Sequence, residues 1–435
     1  MNHRQTASDT ATSPQVIALI GGRLVDGTGA PPSAGGVILI EHGVLTRLTT
    51  DGATEIPPGA ELVHCEGQTI LPGLIDSHTH VERDIPAVLG AFLRDGVTSV
   101  GNTGSGPQLV PQLRAAGRQP GAARTFLAGP AITAPGGYPV IRGDGSAARA
   151  VDSLPQAIAA VDELAALGVD FIKITQEPFD FDFRHPGHLP VLEPELIKAV
   201  ARRATEHGLP VRSHVHHADQ LEVALAVGVT SIEHLLFPLP PDVGHVELQR
   251  AGALHLGALP DLARQLDAMV EQGIHLVPTI GNELANIRAG LPELGEAALR
   301  EIEAFMVAVL GRFVAAGGTV ALGSDWVGRP GFPPGLPRGE LNYLLAAGLT
   351  PLQVIESATR HAAAVCGQRD TLGVLAPGRQ ADLLVVGGDP STDLAALDDL
   401  RLIVKDGRIV HRATAPEVPL QAASADHAAP VRPAG

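Results

Sequence analysis

The sequence predicts an α/β protein in which a (β/α)8 TIM barrel carries a small β-sandwich domain built from both chain ends. The barrel is predicted from eight apolar strand segments that alternate with helical segments in the middle of the chain. The sandwich is predicted from short β-structure at both ends, in residues 15–67 and 376–413. A length of 435 residues suits one large barrel with a smaller appendage.

The two end regions share a sequence pattern in which apolar and polar positions alternate and Gly-rich turns intervene. The first contains VIALIGGRLVDGTG and GGVILIEHGVLTRL, and the second contains ADLLVVGGDP and LRLIVKDGRIV, with Asp406-Gly407 at a hairpin tip. Because these regions flank one long middle, we expect them to pair into a single unit and leave residues 68–375 as the barrel. Residues 1–14 and 414–435 lack periodicity and are predicted to be disordered tails.

The middle of the chain repeats a short apolar strand followed by a helical stretch. Several of the helical stretches end in Gly just before the next strand, which is typical of a helix C-cap. A doubly wound open sheet would have a similar local texture, but no phosphate-cradling Gly-rich loop follows the first strand. The predicted strands are TILPGLIDSHTH, VTSVGNTG, RTFLAGPAIT, DFIKITQ, PVRSHVHH, VTSIEHLL, IHLVPTI and TVALGSDW. The predicted helices include IPAVLGAFLRDG, LPQAIAAVDELAALG, EPELIKAVARRATEHG, LEVALAVG and PDLARQLDAMVEQG.

Composition narrows the class of protein. A formal net charge of −16 argues against a nucleic-acid surface, which needs basic stripes. Cys65 and Cys366 lie far apart and form no C-x-x-C pair, so a reducing compartment is expected. No apolar run reaches membrane-spanning length, and the polar start lacks the apolar core of a signal peptide. We therefore expect a cytoplasmic enzyme that acts on a small molecule and binds neither nucleic acid nor membrane.

Six polar residues interrupt or end the apolar strands. Each has an ordinary structural explanation: a hydrogen-bonded histidine, a paired lysine or a helix-capping aspartate. All six nevertheless fall at the same end of their strands, where the reactive residues of such barrels lie. Imidazoles with a carboxylate suit divalent Zn, Mn or Co. The pattern therefore predicts a metal site formed by His78, His80, Lys173, His214, His234 and Asp325.

Lys173 makes the predicted site unusual. An ammonium group offers only hydrogen-bond donors, so it cannot bind a cation. Lys173 can act as a ligand only after reaction with carbon dioxide, when its carbamate supplies two anionic oxygens that can bridge two ions.

These motifs resemble the amidohydrolase superfamily, and within it the branch of imidazolonepropionase-like proteins and Xaa-Pro dipeptidases (prolidases). The resemblance extends over roughly residues 15–412. The motifs that carry it are LPGLIDSHTH at 71–80, FIKI at 171–174, VRSHVHH at 211–217, SIEHL at 231–235, LVPT at 276–279, GSD at 323–325 and ADLLVVGGDP at 381–390.

The resemblance implies a binuclear hydrolase of amide or peptide-like C–N bonds. The more buried ion would be held by His78, His80 and Asp325, and the more exposed ion by His214 and His234. Carboxylated Lys173 and a hydroxide would bridge two divalent ions, with zinc the expected metal, and Asp325 would carry the proton from hydroxide to leaving group. The candidate catalytic residues are Asp325, His234 and Tyr138. Homo-oligomerisation is left open.

The chain departs from the dipeptidase-like pattern in two places that should line the substrate pocket. It has Gly136-Gly137-Tyr138 where those relatives often carry Gly-Gly-His, and TQEPFDFDFRHPGHLP after Lys173 lacks their small Gly-rich turn. The substrate therefore stays open. Tyr138 either donates to the oxyanion or packs on the Gly-Gly turn.

The sequence gives less direct indications of the location and role of several other residues near the motifs. His185 and His188 are candidates for substrate contact. His216 and His217 are expected to be solvent-exposed, with the alternative that one of them faces the pocket. His207 and His275 are expected to be structural. Trp326 is either a pocket wall or a core residue, and Glu340 is given no catalytic role.

Two other classes of function are open at this stage. One is a mononuclear deaminase or a cyclic amide, imide or lactone hydrolase, whose sites typically do without the strand-four lysine. The other is an inactive binding subunit, which ranks lowest because all six ligand positions are filled.

Overall fold

The computed structural model describes residues 16–50, 54–140, 145–178, 188–234, 260–292 and 294–413. The predicted tails lie outside these residues. Eighteen strands are found in the described part of the chain: β1 Val16–Ile20, β2 Arg23–Leu24, β3 Val37–Glu41, β4 Val44–Thr49, β5 Glu61–His64, β6 Gln68–Pro72, β7 Leu74–Thr79, β8 Val97–Asn102, β9 Arg124–Leu127, β10 Ala131–Thr133, β11 Ala148–Ala150, β12 Ile172–Thr175, β13 Val211–Val215, β14 Ser231–His234, β15 His275–Val277, β16 Leu383–Gly387, β17 Leu400–Lys405 and β18 Arg408–Arg412.

The helices lie mainly between the strands of the middle region, as predicted. Three of them end at a glycine with positive φ (Gly168, Gly228 and Gly273), which confirms the C-cap signals read from the sequence. The α-helices are α1 Ile85–Arg94, α2 Leu109–Gly117, α3 Leu154–Leu167, α4 Pro194–Glu206, α5 Ala218–Val227, α6 Pro260–Gln272, α7 Ile280–Gly290, α8 Glu296–Ala315, α9 Arg338–Ala346, α10 Pro351–Glu356 and α11 Ala362–Val365. A π-helical turn, Ser357–His361, joins the last two, and a 3-10 helix spans Leu394–Asp398.

The strands of the middle region form two parallel sheets. One has the order β7-β8-β9 and the other the order β11-β10-β12-β13-β14-β15. The predicted third strand is divided at Gly129, whose φ is +65°: β9 pairs with β8, whereas β10 pairs with β12. Parallel strands in sequential order bring their carboxyl ends to one edge, and this edge carries the predicted site residues.

The predicted eighth strand, residues 319–326, does not form a continuous ladder. It makes isolated parallel bridges, Leu276 to Val320 and Thr79 to Trp326, and so contacts both β15 and β7. Two features explain the interruption. A Cβ on Gly323 would lie 2.7 Å from the Cβ of His78, and Asp325 has a φ of +52°, which breaks the extended conformation.

The end regions also form two sheets, β4-β3-β1-β5 and β18-β17-β16-β6-β2. The second sheet joins the two ends of the chain, since β6 pairs antiparallel with β16. Side chains from both sheets share one apolar core, which includes Leu19, Ile40 and Val385. The hairpin between β17 and β18 turns at Asp406 and Gly407, which both have positive φ as a type I′ turn requires.

The middle region has a predominantly aliphatic core with few aromatic rings. Phe92 and Phe313 are fully buried among these side chains. Among the described helices, none combines the length and apolar character needed to cross a membrane.

Candidate metal centre

The six predicted ligand residues surround one cavity of about 580 Å³ at the carboxyl edge of the parallel strands. His78 lies on β7 and His80 follows that strand by one residue, while Lys173 lies on β12. His214 lies on β13, His234 ends β14, and Asp325 comes from residues 319–326. The structure thus brings together side chains from five separate segments.

One group of ligand-type atoms comes from His78, His80 and Asp325, which lie within 4.8 Å of one another. Asp325 Oδ1 is 3.1 Å from His80 Nε2 and 3.4 Å from His78 Nε2. The two imidazoles project to the same side because the strand alternation has a period of two. Two neutral imidazoles and a carboxylate fit a divalent transition metal.

A second group consists of His214, His216 and His234, and one ring nitrogen of each lies within 4.8 Å of the other two. The ring centroids are 4.5 Å apart for His214 and His234 and 4.8 Å apart for His216 and His234. Burial lowers the pKa of His214 and His234 well below the usual histidine value. Both rings are therefore neutral at pH 7, which is the form that binds a metal.

Lys173 is almost completely buried, and its Nζ makes no hydrogen bond to any described residue. The nearest acidic atom is Glu233 Oε2, at 3.8 Å. Burial lowers the pKa of Lys173 to about 8, since the charged form loses its hydration. The neutral amine, which is the form that reacts with carbon dioxide, is therefore accessible near neutral pH.

An ion pair that the sequence analysis missed lies directly beneath the site. Arg212 donates two hydrogen bonds to Glu233, at 2.9 and 2.8 Å, and both side chains are fully buried. Glu233 Oε2 also lies 2.5 Å from His78 Nδ1. Glu233 thus orients the His78 ring so that its Nε2 faces the cavity.

His216 and His217 correct an expectation from the sequence, since both are buried instead of exposed. The cause is Glu177, whose carboxylate lies 2.5 Å from His216 Nδ1, 3.2 Å from His214 Nε2 and 3.3 Å from His217 Nε2. Burial alone would raise the pKa of Glu177, but the surrounding histidines outweigh it and hold that pKa well below its usual range.

Helix α7 supplies two further polar side chains to the cavity. Asn282 Nδ2 donates to Asp325 Oδ2 at 2.6 Å. Glu283 Oε1 lies 2.9 Å from His234 Nδ1, and its Oε2 lies 3.4 Å from His216 Nε2. Neither residue was predicted, because α7 packs beside the site only in three dimensions.

Glu340 supports the start of α7. Its carboxylate accepts hydrogen bonds from the backbone N–H groups of Ile280 and Gly281, at 2.9 and 3.0 Å. Glu340 lies in the first turn of α9, but its carboxylate caps a different helix. Burial raises the pKa of Glu340 to about 8.

Asp325 is ionised in this environment. Burial opposes its charged form, but His78 and His80 outweigh burial and lower its pKa. Its hydrogen bond from Asn282 fixes one oxygen, while the other faces the two imidazoles. Asp325 and His234 both have positive φ, so the backbone is strained where the two groups meet.

Tyr138 lines the cavity and stacks on His214, with ring centroids 5.0 Å apart and planes at 26°. Trp326 is not among the cavity-lining residues; it packs edge-on against Phe92, so it belongs to the core rather than the pocket wall. His188 is exposed and outside the cavity lining, and His185 lies outside the described residues.

His207 and His275 lie away from the cavity. His207 contacts Asp162 at 2.7 Å, and the ring of His275 packs against that of His361. These contacts agree with the structural roles expected of both residues.

A sequence signal for His216 exists in retrospect. The spacing His214-Val215-His216 repeats the His78-Thr79-His80 spacing, and alternation places the paired imidazoles on one face. No comparable pattern points to Glu283.

Comparisons with known proteins fit this geometry. The amidohydrolase family model matches residues 69–410. A solved Xaa-Pro dipeptidase with bound methionine in the active site has a TM-score of 0.72 at 23% identity, covering 92% of this chain and 100% of that one.

Two curated relatives match shorter parts of the chain. An uncharacterised protein of Mycobacterium bovis is 28% identical over 203 residues, which cover 42% of this chain and 48% of that protein, so the chain spans about half the length of this relative. The imidazolonepropionase of Ralstonia nicotianae is 48% identical over 62 residues, 14% of this chain and 15% of that enzyme. The family model covers most of the chain, and the chain accordingly belongs to the amidohydrolase family.

Proposed function

We propose that this protein is a binuclear metal-dependent hydrolase that cleaves an amide or peptide-like C–N bond in a small molecule. The proposal takes the parallel strands as a closed eight-stranded barrel, with residues 319–326 as the eighth strand, and the two end regions as a β-sandwich. The observation that carries it is Lys173, a buried amine without a hydrogen bond among the described residues, which lines the same cavity as the two groups of metal-ligand atoms.

The residues fit two ions better than one. His78, His80 and Asp325 would hold the first ion, and His214 and His234 the second. A carbamate on Lys173 would add two oxygens shared by both ions and would resolve the buried unpaired amine. When bound, the ions supply a lowered pKa for the attacking water and polarisation of the scissile carbonyl.

The proton transfers are assigned to side chains of the protein itself. Asp325 is ionised and accepts the proton of the attacking water at Oδ1, since Oδ2 is occupied by Asn282. It then passes that proton to the nitrogen of the leaving group, which must depart as an amine. His234 is held by Thr279 Oγ1 at 2.7 Å and Glu283 Oε1 at 2.9 Å, so its other ring nitrogen faces the cavity.

Tyr138 is the proposed hydrogen-bond donor to the oxyanion. Its ring is fixed by stacking on His214, and its backbone carbonyl accepts a hydrogen bond from the hydroxyl of Thr133 at 2.7 Å. A fixed donor at the wall of the cavity can stabilise charge that develops on the carbonyl oxygen.

The substrate class rests on the family and on a similar solved structure. The Xaa-Pro dipeptidase suggests dipeptides as the first compounds to test. Zinc is the proposed metal because four imidazoles favour a borderline ion over magnesium or calcium.

The experiment is a comparison of Lys173→Ala with Lys198→Ala, which alters an exposed lysine of α4. We expect Lys173→Ala to lose most of its second ion and its turnover, measured by elemental analysis of desalted protein and by dipeptide hydrolysis. Lys198→Ala should match the wild type, and added bicarbonate should raise metal occupancy of the wild type during reconstitution.

Two results would contradict the proposal. Lys173→Ala with wild-type metal content and rate would exclude the carbamate. One ion per chain in the wild type, unaffected by Lys173→Ala, would favour the mononuclear deaminase or cyclic amide hydrolase instead.

A further inference from the structure

We propose that His216 is a direct ligand of the second metal ion, which would then be held by three imidazoles, from His214, His216 and His234. This assignment rests on the binuclear site proposed above and adds a ligand to it. Its basis is that one ring nitrogen of each histidine lies within 4.8 Å of the other two. Two Zn–N bonds of about 2 Å each span nitrogens up to about 4 Å apart, so rings separated by more than that would move slightly inward when they bind one ion.

The His216 ring is oriented for this role. Its Nδ1 lies 2.5 Å from Glu177 Oε2, so the carboxylate occupies that nitrogen and leaves Nε2 as the ligand atom. A carboxylate that holds the far nitrogen of an imidazole fixes its tautomer and strengthens it as a ligand, as in other histidine metal sites. His234 has an equivalent arrangement, with its Nδ1 held by Thr279 and Glu283.

Charge also favours a cation at this position. Glu177 and Glu283 are both buried, and Glu283 Oε2 makes no hydrogen bond to any described residue while lying 3.4 Å from His216 Nε2. The two buried carboxylates favour positive charge beside the three imidazoles, and a divalent ion would take the place of a proton on His216.

A substitution of His217 serves as the control that distinguishes loss of a metal ligand from loss of a packing contact. It is buried and contacts the same carboxylate, with Nε2 at 3.3 Å from Glu177 Oε1. It does not line the cavity, whereas His216 does. Substitution of His217 therefore disturbs Glu177 in a similar way without removing the proposed ligand.

The test is zinc binding by the full chain, measured by competition with a chromogenic chelator, for wild type, His216→Gln and His217→Gln. We expect His216→Gln to weaken the second ion by at least about tenfold, since even the loss of a residue supporting a ligand costs that much. His217→Gln should change it by less than about threefold. Circular dichroism establishes that each variant is folded, and X-ray absorption of the zinc-loaded wild type should show three imidazoles at the second ion.

Equal effects of the two substitutions, or an unchanged affinity in His216→Gln, would overturn the assignment. If the wild type binds only one ion, the proposal of a binuclear site is wrong, whatever the result for His216. The assignment of His216 would then stand if His216→Gln still weakened that ion tenfold, and would fall if it did not.

Discussion

The buried pair of Arg212 and Glu233 gives a quantitative test of how the site is supported. We consider Arg212→Met, which keeps most of the side-chain volume and removes the charge. Both partners are fully buried and share two hydrogen bonds, so the substitution leaves the Glu233 carboxylate without its main counter-charge. Loss of one partner of a buried pair typically costs about 3–5 kcal/mol.

The structure places this cost near the lower end of the range. Glu233 keeps three other contacts after the substitution: Lys173 Nζ at 3.8 Å, His78 Nδ1 at 2.5 Å and a hydrogen bond from Ser231 Oγ at 3.0 Å. We therefore expect the free energy of unfolding to fall by about 3 kcal/mol. With a urea dependence of about 3 kcal/mol per molar, this corresponds to a midpoint about 1 M lower.

The assay is urea unfolding in the presence of a chelator, so that bound metal does not add to stability. Far-UV circular dichroism and the fluorescence of Trp326, the only tryptophan, should give coincident transitions. Arg264→Met, which removes an exposed partner of Glu222, should leave the midpoint unchanged.

A double variant, Arg212→Met with Glu233→Gln, separates pairing from packing. Because it removes both charges, it should recover at least half of the lost stability. A midpoint shift below about 0.3 M in Arg212→Met, or a double variant no more stable than the single one, would refute this reasoning.

Two further predictions concern Glu340 and Tyr138. Burial raises the pKa of Glu340 to about 8 from an ordinary value of 4.5. Between these two pH values the folded protein keeps a proton that the unfolded chain has released. The free energy of unfolding therefore falls as the pH rises from 4.5 to about 8. Glu340→Gln should flatten this decline in urea midpoints measured from about pH 5 to about pH 8, and equal slopes in both proteins would show that Glu340 is already ionised. Tyr138→Phe keeps the ring stacked on His214 but removes the hydroxyl, so kcat for dipeptide hydrolysis should fall about 100-fold with KM little changed. An unchanged kcat would assign Tyr138 to packing alone.

Much of the fold could be predicted because local patterns determine it. The alternation of apolar strands with Gly-terminated helices gave the element order, and the Asp406-Gly407 turn gave a hairpin. The eighth strand was harder. Its apolar run predicts a ladder, but the close approach of Gly323 to His78 and the positive φ of Asp325 allow only isolated bridges.

In the candidate site, too, some residues could be predicted from the sequence and others could not. The residues at strand ends, such as His78 and His214, were accessible from the sequence because neighbouring parallel strands present their carboxyl ends at one edge. Glu283 and Asn282 were not, since they enter from α7, whose position depends on packing and on its cap by Glu340. The expected exposure of His216 failed because a buried carboxylate, Glu177, draws it inward.

The shared contacts of Glu177 have a consequence for how this region can change. One carboxylate contacts His214, His216 and His217, so a substitution at any of the four residues alters the hydrogen bonding of the others. The effects of such substitutions will not add, since contacting residues in one network are energetically coupled. We therefore expect these four positions to change together: whether a substitution at one of them is tolerated depends on which residues occupy the other three.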